Sequence, residues 1–278
     1  MDINKTLYIS DLDGTLLNQS AKLSQYTINT LNSLIAKGLN FSVASARLLE
    51  PVQNMLADVN INVPIVLMNG VLIYDIKQEQ YIKVNKLLPE TITLVIQTIK
   101  KYEIVGFMYE LNNKQVKTYH ETFGQNPLHD YLKDRIVRYK SIMPANGLSD
   151  VPPENVIYFT LIDSYERLKP VHDYLATQCE LNQTLYKNVY NPNFWFLEIY
   201  STESSKQSAL DYIRKTYGFK QIIGFGDNHN DLPMFAACDV RVAVENATED
   251  VKSIADFVCE SNVNDGVAKW MKTHYTAN

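Results

Sequence analysis

The chain has 278 residues, 46% hydrophobic and 21% charged, proportions that exclude a disordered or low-complexity protein. A net charge of −5 without a long run of Lys or Arg argues against a nucleic-acid partner. Three cysteines without CxxC spacing (Cys179, Cys238, Cys259), no apolar signal region at the N-terminus and no run of ~18–20 apolar residues predict reduced thiols, no membrane partner and a cytoplasmic location.

In chain order, three short apolar runs predict buried strands: Leu7–Ile9, Phe41–Ala44 and Ile65–Met68. Between them, Ile28, Leu31, Leu34 and Ile35, then Val52, Met55 and Leu56, recur at helix spacing. Val71–Ile76 and Tyr81–Val84, joined by a polar turn, predict a hairpin. A helix carrying Ile92, Val95, Ile96 and Ile99 is followed by alternating segments at Ile104–Glu110 and Gln115–His120. Next come a strand at Val156–Ile162, a helix from Ser164 through Leu175 and a strand at Asn193–Tyr200. The first rhythm then returns, with a helix face at Leu210, Ile213 and Tyr217, a strand at Ile222–Phe225, a helix around Met234 and a strand at Val240–Val244. Strands alternating with helices predict an α/β fold, a Rossmann-like parallel-sheet core of residues 1–80 and 198–278. Residues 81–197 are expected to form an α+β module inserted into it.

Asp11-Leu12-Asp13-Gly14-Thr15 directly follows the first strand. Residues i and i+2 of an extended segment project to the same side, so Asp11 and Asp13 are expected to face the crevice at the strand's carboxyl end. Gly14 lets the chain turn and Thr15 is expected to brace that turn. A calcium loop is excluded, because its glycine belongs at position six. Gly226-Asp227-Asn228-His229-Asn230-Asp231 ends another strand. Four acids converging on one point repel strongly without a cation, and hard oxygen ligands point to Mg²⁺. Asp227 is the stronger metal candidate and Asp231 the weaker. His229 reads as a solvated residue at a helix start.

Lys206 begins an amphipathic helix, where its charge opposes the dipole, so it is either wanted by a ligand or simply solvated. Ser45 reads either as a cap or as a donor to a phosphate oxygen, and Asn69-Gly70 as a turn dipeptide before anything else.

Together these stretches resemble the haloacid dehalogenase-like hydrolases, specifically the Cof-like phosphatases with a large α/β cap. Asp11–Leu17 is similar to the first family motif, Ala44-Ser45-Ala46-Arg47 to the second, Lys206 to the third and Gly226–Asp231 to the fourth. Met68-Asn69-Gly70, Ile73-Tyr74-Asp75, Asn246-Ala247 and Asn264–Val267 also look like this subgroup. The chain departs from the subgroup's pattern in having Ser45-Ala46-Arg47 for Thr-Gly-Arg and Val244-Glu245-Asn246-Ala247 for Met-Gly-Asn-Ala. Glu245 at the rim either restricts anionic substrates or points to solvent.

The resemblance implies a small phosphate-ester substrate, attack on phosphorus by Asp11 and acid–base work by Asp13. It also implies Mg²⁺ held by Asp11, Asp227 and the Asp13 carbonyl, with Asp231 as a further candidate, and phosphoryl contacts from Ser45, Lys206 and Asn230. The inserted cap would set specificity. Its aromatics Tyr109, Tyr119, Tyr158, Tyr190, Phe194 and Trp195 either stack on a substrate ring or fill a core. A phosphomutase using the same aspartyl-phosphate and a non-catalytic metabolite sensor are the competing expectations. An ion-pumping ATPase would carry Thr at position 13.

Overall fold

In a computed structural model, residues 5–121, 133, 142–187 and 194–275 are described. The chain divides into two compact units, Met1–Lys83 with Ser204–Asn278, and Val84–Glu203. Residues 81–83 thus fall in the first unit and 198–203 in the second, the reverse of the expected division. The strand Trp195–Tyr200 is hydrogen-bonded into the second unit's sheet, which carries the chain past position 198.

The first unit holds a five-stranded parallel sheet of β1 (Thr6–Ser10), β2 (Asn40–Val43), β12 (Gln221–Gly226), β13 (Val240–Val244) and β14 (Phe257–Cys259). Its order is β14-β13-β12-β1-β2, so the chain runs outward in opposite directions from β1. β1 is buried along its whole length, as expected of a central parallel strand covered on both faces. The covering helices are α1 (Gln25–Ala36), α2 (Leu49–Met55), α5 (Lys206–Tyr217), α6 (Leu232–Ala237), α7 (Glu249–Ile254) and α8 (Gly266–His274). Helix α1 starts where Ser24 accepts the Thr27 N–H, and it turns Leu31 and Leu34 inward. It packs against α8, while α5 packs against α6.

The run Ile65–Met68 forms the expected buried strand over its first three residues. β3 (Ile65–Leu67) meets the line of β2 at a parallel bridge, Ala44 to Val66, and pairs antiparallel with β4 (Leu72–Asp75). β5 (Gln80–Val84) completes that sheet, so the expected hairpin forms. The turn between β3 and β4 places Met68 and Asn69 at positive φ. It also brings Gly70, φ +96°, so close to the start of α5 that a Cβ would lie 2.1 Å from the Ser205 carbonyl oxygen.

The second unit is a six-stranded sheet in the order β10-β11-β9-β6-β7-β8. Its strands are β6 (Val105–Asn112), β7 (Gln115–His120), β8 (Ile142–Pro144), β9 (Val156–Asp163), β10 (Asn182–Lys187) and β11 (Trp195–Tyr200). All neighbours run antiparallel except β7 and β8. Helices α3 (Pro89–Tyr102) and α4 (Tyr165–Gln178) bury Ile92, Val95, Ile99, Leu168 and Val171 against Met108, Phe159, Leu161 and Leu197. On these alternating strands, Tyr109 and Tyr158 are buried rather than presented: Tyr158 stacks on Tyr200 at 5.3 Å and meets Tyr109 edge-on at 5.8 Å. Tyr119 hydrogen-bonds Glu110, and Trp195 packs on Tyr165. Tyr190 lies outside the described residues.

Among the described residues no helix is long and apolar enough to cross a membrane. All three cysteines are free.

Candidate active site

The carboxyl ends of β1 and β12 lie side by side, with Ser10 opposite Phe225 and the Asp11 N–H donating to the Phe225 carbonyl at 2.9 Å. Strand order reverses at β1, the position where open α/β sheets bind ligands. Asp11 is thereby fixed at the crevice and is 4% exposed. The chain then coils tightly: the Leu12 carbonyl accepts N–H groups from Thr15, Leu16 and Leu17 at 3.3, 3.0 and 2.9 Å. Gly14 has φ +84°, and a Cβ there would stand 2.3 Å from Asp227 Oδ2, so this backbone lies directly against the carboxylate. The Thr15 hydroxyl, expected to brace its own turn, instead donates to Asp227 Oδ1 at 2.8 Å. It ties the β1 loop to the β12 loop.

Lys206 is the first residue of α5, behind a capping box in which Ser205 and Ser208 exchange hydrogen bonds. Its side chain is 1% exposed, and its Nζ donates to Asp11 Oδ1 at 2.6 Å and Asp231 Oδ1 at 2.7 Å. The charge that opposes the helix dipole is therefore held by two carboxylates, not by solvent. Burial alone would depress the ammonium's pKa. The charges of Asp11 and Asp231 outweigh that and raise it above its ordinary value.

Asp231 is fully buried, and its Oδ2 accepts the Asp227 and Asn228 N–H groups at 2.9 and 3.2 Å. It thus shapes the loop as well as carrying charge. Carboxylate oxygens of Asp11, Asp227 and Asp231 all lie within 4.8 Å of one another. Burial, with Asp231's charge next, raises the Asp11 pKa well above the carboxylate range, although Lys206 acts against it. Burial and Asp231 likewise push Asp227 up to about 7, against the Thr15 hydrogen bond and Lys206. Three acids, two of them buried and the third half-buried, thus face a single ammonium. An all-oxygen donor set in a site closed by Gly14 fits a small hard cation such as Mg²⁺.

The expected convergence of four acids is corrected in one respect. Asp13 is not in that close group: its carboxylate forms a bidentate pair with Arg47, whose Nε and Nη2 donate at 2.6 and 2.7 Å, while its charge still acts on Asp227. The tight coil after Leu12 ends the extended geometry that would have kept Asp13 on Asp11's side, and a planar guanidinium offers both of its oxygens a partner. Ser45 is 1% exposed, and its hydroxyl oxygen accepts the Arg47 N–H at 3.1 Å, a local capping contact. Asn230 is half-buried in the turn before α6. His229 is exposed, 3.5 Å from Asp250, as its reading as a solvated residue anticipates. Glu245 is exposed.

Arg47 and Asn246 carry no assigned role in the motifs that contain them. Neither spacing nor residue type signalled that Arg47 reaches Asp13 or that Asn246 donates to the Gly14 carbonyl at 2.7 Å.

An acid-rich site with one buried ammonium, at the switch point of a doubly wound sheet, defines an α/β enzyme handling an anionic substrate. The family model described as haloacid dehalogenase-like hydrolase matches residues 8–271, and the chain belongs to that family of hydrolases. Curated relatives are named phosphatases. A 5-amino-6-(5-phospho-D-ribitylamino)uracil phosphatase of Bacillus subtilis is 28% identical over 292 residues, covering 93% of this chain and 94% of that protein. A second enzyme of that name from Bacillus subtilis is 23% identical over 284 residues, covering 99% and 100%. Among solved structures, a Thermotoga maritima protein is similar with a TM-score of 0.79 at 28% identity over 97% of each chain. A haloacid dehalogenase-like hydrolase from Bacteroides thetaiotaomicron matches with a TM-score of 0.80 at 24% identity, covering 97% of this chain and 99% of that one, a likeness of fold.

Proposed function

We propose that this hydrolase is a Mg²⁺-dependent phosphatase that releases phosphate from a small phosphorylated metabolite through an aspartyl-phosphate on Asp11. The observation that carries the reading is Asp11 itself: a buried carboxylate at the switch point, 2.6 Å from a buried ammonium and beside two further acids.

Asp11 attacks phosphorus while the bond to the leaving oxygen breaks, and Asp13 gives that oxygen a proton. Asp13 then takes a proton from the water that attacks the aspartyl-phosphate, which restores Asp11 and frees phosphate. The Arg47 pair orients Asp13 for both transfers, and Arg47 yields one of its two hydrogen bonds while Asp13 carries the proton. Two like charges ~4 Å apart repel by about 4 kcal/mol at an effective dielectric of ~20, and Lys206 offsets part of this as Asp11 meets the phosphate. Ser45 and Asn230 complete the phosphoryl contacts. Asp11, Asp227 and the Asp13 carbonyl, with Asp231 as a further candidate, would hold the cation, which when bound would supply charge neutralisation on the phosphoryl oxygens. The unit Val84–Glu203 acts as the cap that selects the substrate. The chain's three free thiols fit the enzyme to the cytoplasm.

The test is phosphate release from a panel of sugar phosphates, pyridoxal phosphate and 5-amino-6-(5-phospho-D-ribitylamino)uracil, with Mg²⁺ and with excess EDTA. Activity confined to Mg²⁺ and abolished by Asp11→Asn in a folded protein is expected. Turnover that survives either change refutes the mechanism. Transfer between sugar hydroxyls with no free phosphate would make the chain a mutase.

A further inference from the structure

The loop bearing Asp11, Asp13 and Thr15 is tied down by residues that the proposed chemistry does not use. Asn246, just after β13, donates from Nδ2 to the Gly14 carbonyl at 2.7 Å. Its Oδ1 accepts the Ser261 hydroxyl at 3.1 Å and the Asn262 N–H at 3.0 Å. Asn262 in turn donates from Nδ2 to the Leu17 carbonyl at 2.8 Å. Further along, Asp265 accepts the hydroxyls of Ser24 and Thr27 at the start of α1. The stretch from Gly14 to Thr27 is thus held at three places by side chains arriving from 246–265.

The Gly14 carbonyl belongs to the peptide that leads into Thr15, whose hydroxyl holds Asp227 Oδ1 at 2.8 Å. Gly14 is also the residue whose α-carbon lies so close to Asp227 that no side chain fits. The loop after β13 also binds Asp227, the Thr248 N–H donating to its carbonyl at 2.9 Å. A tilt of the Gly14–Thr15 peptide therefore moves the hydroxyl and the backbone that together aim the Asp227 carboxylate.

We propose that Asn246 is a positioning residue of the catalytic site, holding the Gly14–Thr15 peptide so that Asp227 stays in register with Asp11 around the divalent cation. The inference rests on the function proposed above and assigns Asn246 no contact with substrate. Asn246 is itself exposed, so its hydrogen bonds add modestly to global stability, whereas partners that orient metal ligands typically govern affinity or rate by 10–100-fold.

Two variants of the full chain separate the roles. Asn246→Ala removes all three hydrogen bonds. Asn246→Asp keeps the acceptor for Ser261 and Asn262, replaces the donor to Gly14 with an oxygen and adds a negative charge. Three readouts apply: Mg²⁺ affinity by calorimetry, amide exchange of Thr15, Leu16 and Leu17, and kcat and KM on p-nitrophenyl phosphate. Both variants should weaken Mg²⁺ binding and lower kcat by about tenfold or more, leave KM for the ester nearly unchanged and speed exchange in the loop. The metal-free melting temperature should fall by no more than about 3 °C. Mg²⁺ affinity and kcat within about twofold of the parent would overturn the inference. An effect seen in Asn246→Ala alone would also overturn it, by assigning the role to Oδ1, and loss of cooperative unfolding in Asn246→Asp would show a structural role. A parent chain with no phosphatase activity refutes the proposed function instead, and calorimetry and exchange still decide the role of Asn246.

Discussion

Replacing Lys206 by Met isolates the electrostatics on which the site depends. The substitution keeps an unbranched side chain of similar length in a position 1% exposed, and it removes the ammonium 2.6 and 2.7 Å from two carboxylates. At ~4 Å between charge centres and an effective dielectric of ~20, each attraction is worth about 4 kcal/mol, much of it offset by the desolvation of all three groups. Breaking such a pair is dearer than the net worth of the pair, because the acids stay buried without a partner; about 3–5 kcal/mol of lost stability is expected at pH 8 in EDTA.

The loss should depend on pH with a definite sign. Without Lys206, nothing opposes the upward push of burial and Asp231 on the Asp11 pKa. A carboxyl whose folded pKa lies above its unfolded value contributes stability at low pH and loses it as pH rises through the window between the two. Lys206→Met should therefore lie nearer the parent at pH 5.5, where protons replace the missing cation, and Mg²⁺ should restore part of the loss at pH 8. Urea unfolding at both pH values, with EDTA and with Mg²⁺, measures each quantity. A variant within about 1 kcal/mol of the parent at pH 8 in EDTA would refute the reasoning.

Three further outcomes follow from the same geometry. Gly14→Ala adds a Cβ 2.3 Å from Asp227 Oδ2 at φ +84°, so Mg²⁺ affinity should fall about 10–100-fold by calorimetry; unchanged affinity would deny the close approach any role. Asp227, pushed up to about 7 by burial and then Asp231, holds a proton in the metal-free protein until near that pH. The metal-free fold should therefore lose up to about 4 kcal/mol between pH ~4 and ~7 from this group, and Mg²⁺ affinity should weaken as pH falls below 7, with proton release on binding. Calorimetry at pH 5.5 and 8 in buffers of different ionisation enthalpy checks it, and a pH-independent affinity would contradict it. Arg47→Ala removes both hydrogen bonds that orient Asp13 and should lower kcat about tenfold or more with little change in KM, as read by steady-state kinetics; an unchanged kcat would detach Arg47 from the acid.

The elements legible in the sequence were those whose signal is local. Apolar runs such as Leu7-Tyr8-Ile9 and Ile222–Phe225, and helix spacing at Leu31 and Leu34, reported burial directly because neighbours in sequence share one face. The polar run Asn182–Lys187 carries no such pattern and became β10 only by pairing with β11; β8 and β14, three residues each, were equally silent. At the site, Asp11, Asp227 and Asp231 were picked out by residue type at strand ends. Their sharing of one point required β1 and β12 to be neighbours.

Residue chemistry and short-range spacing, by themselves, therefore determined the alternating architecture, the inserted module and the acids at the strand ends. Only the tertiary structure decided which charges meet: that Lys206, 195 positions from Asp11, is buried against it rather than solvated, and that Asp13 is held by Arg47. Partner choice depends on which strand ends the sheet order makes adjacent and on how far water is excluded there. Neither quantity is a property of any segment taken alone.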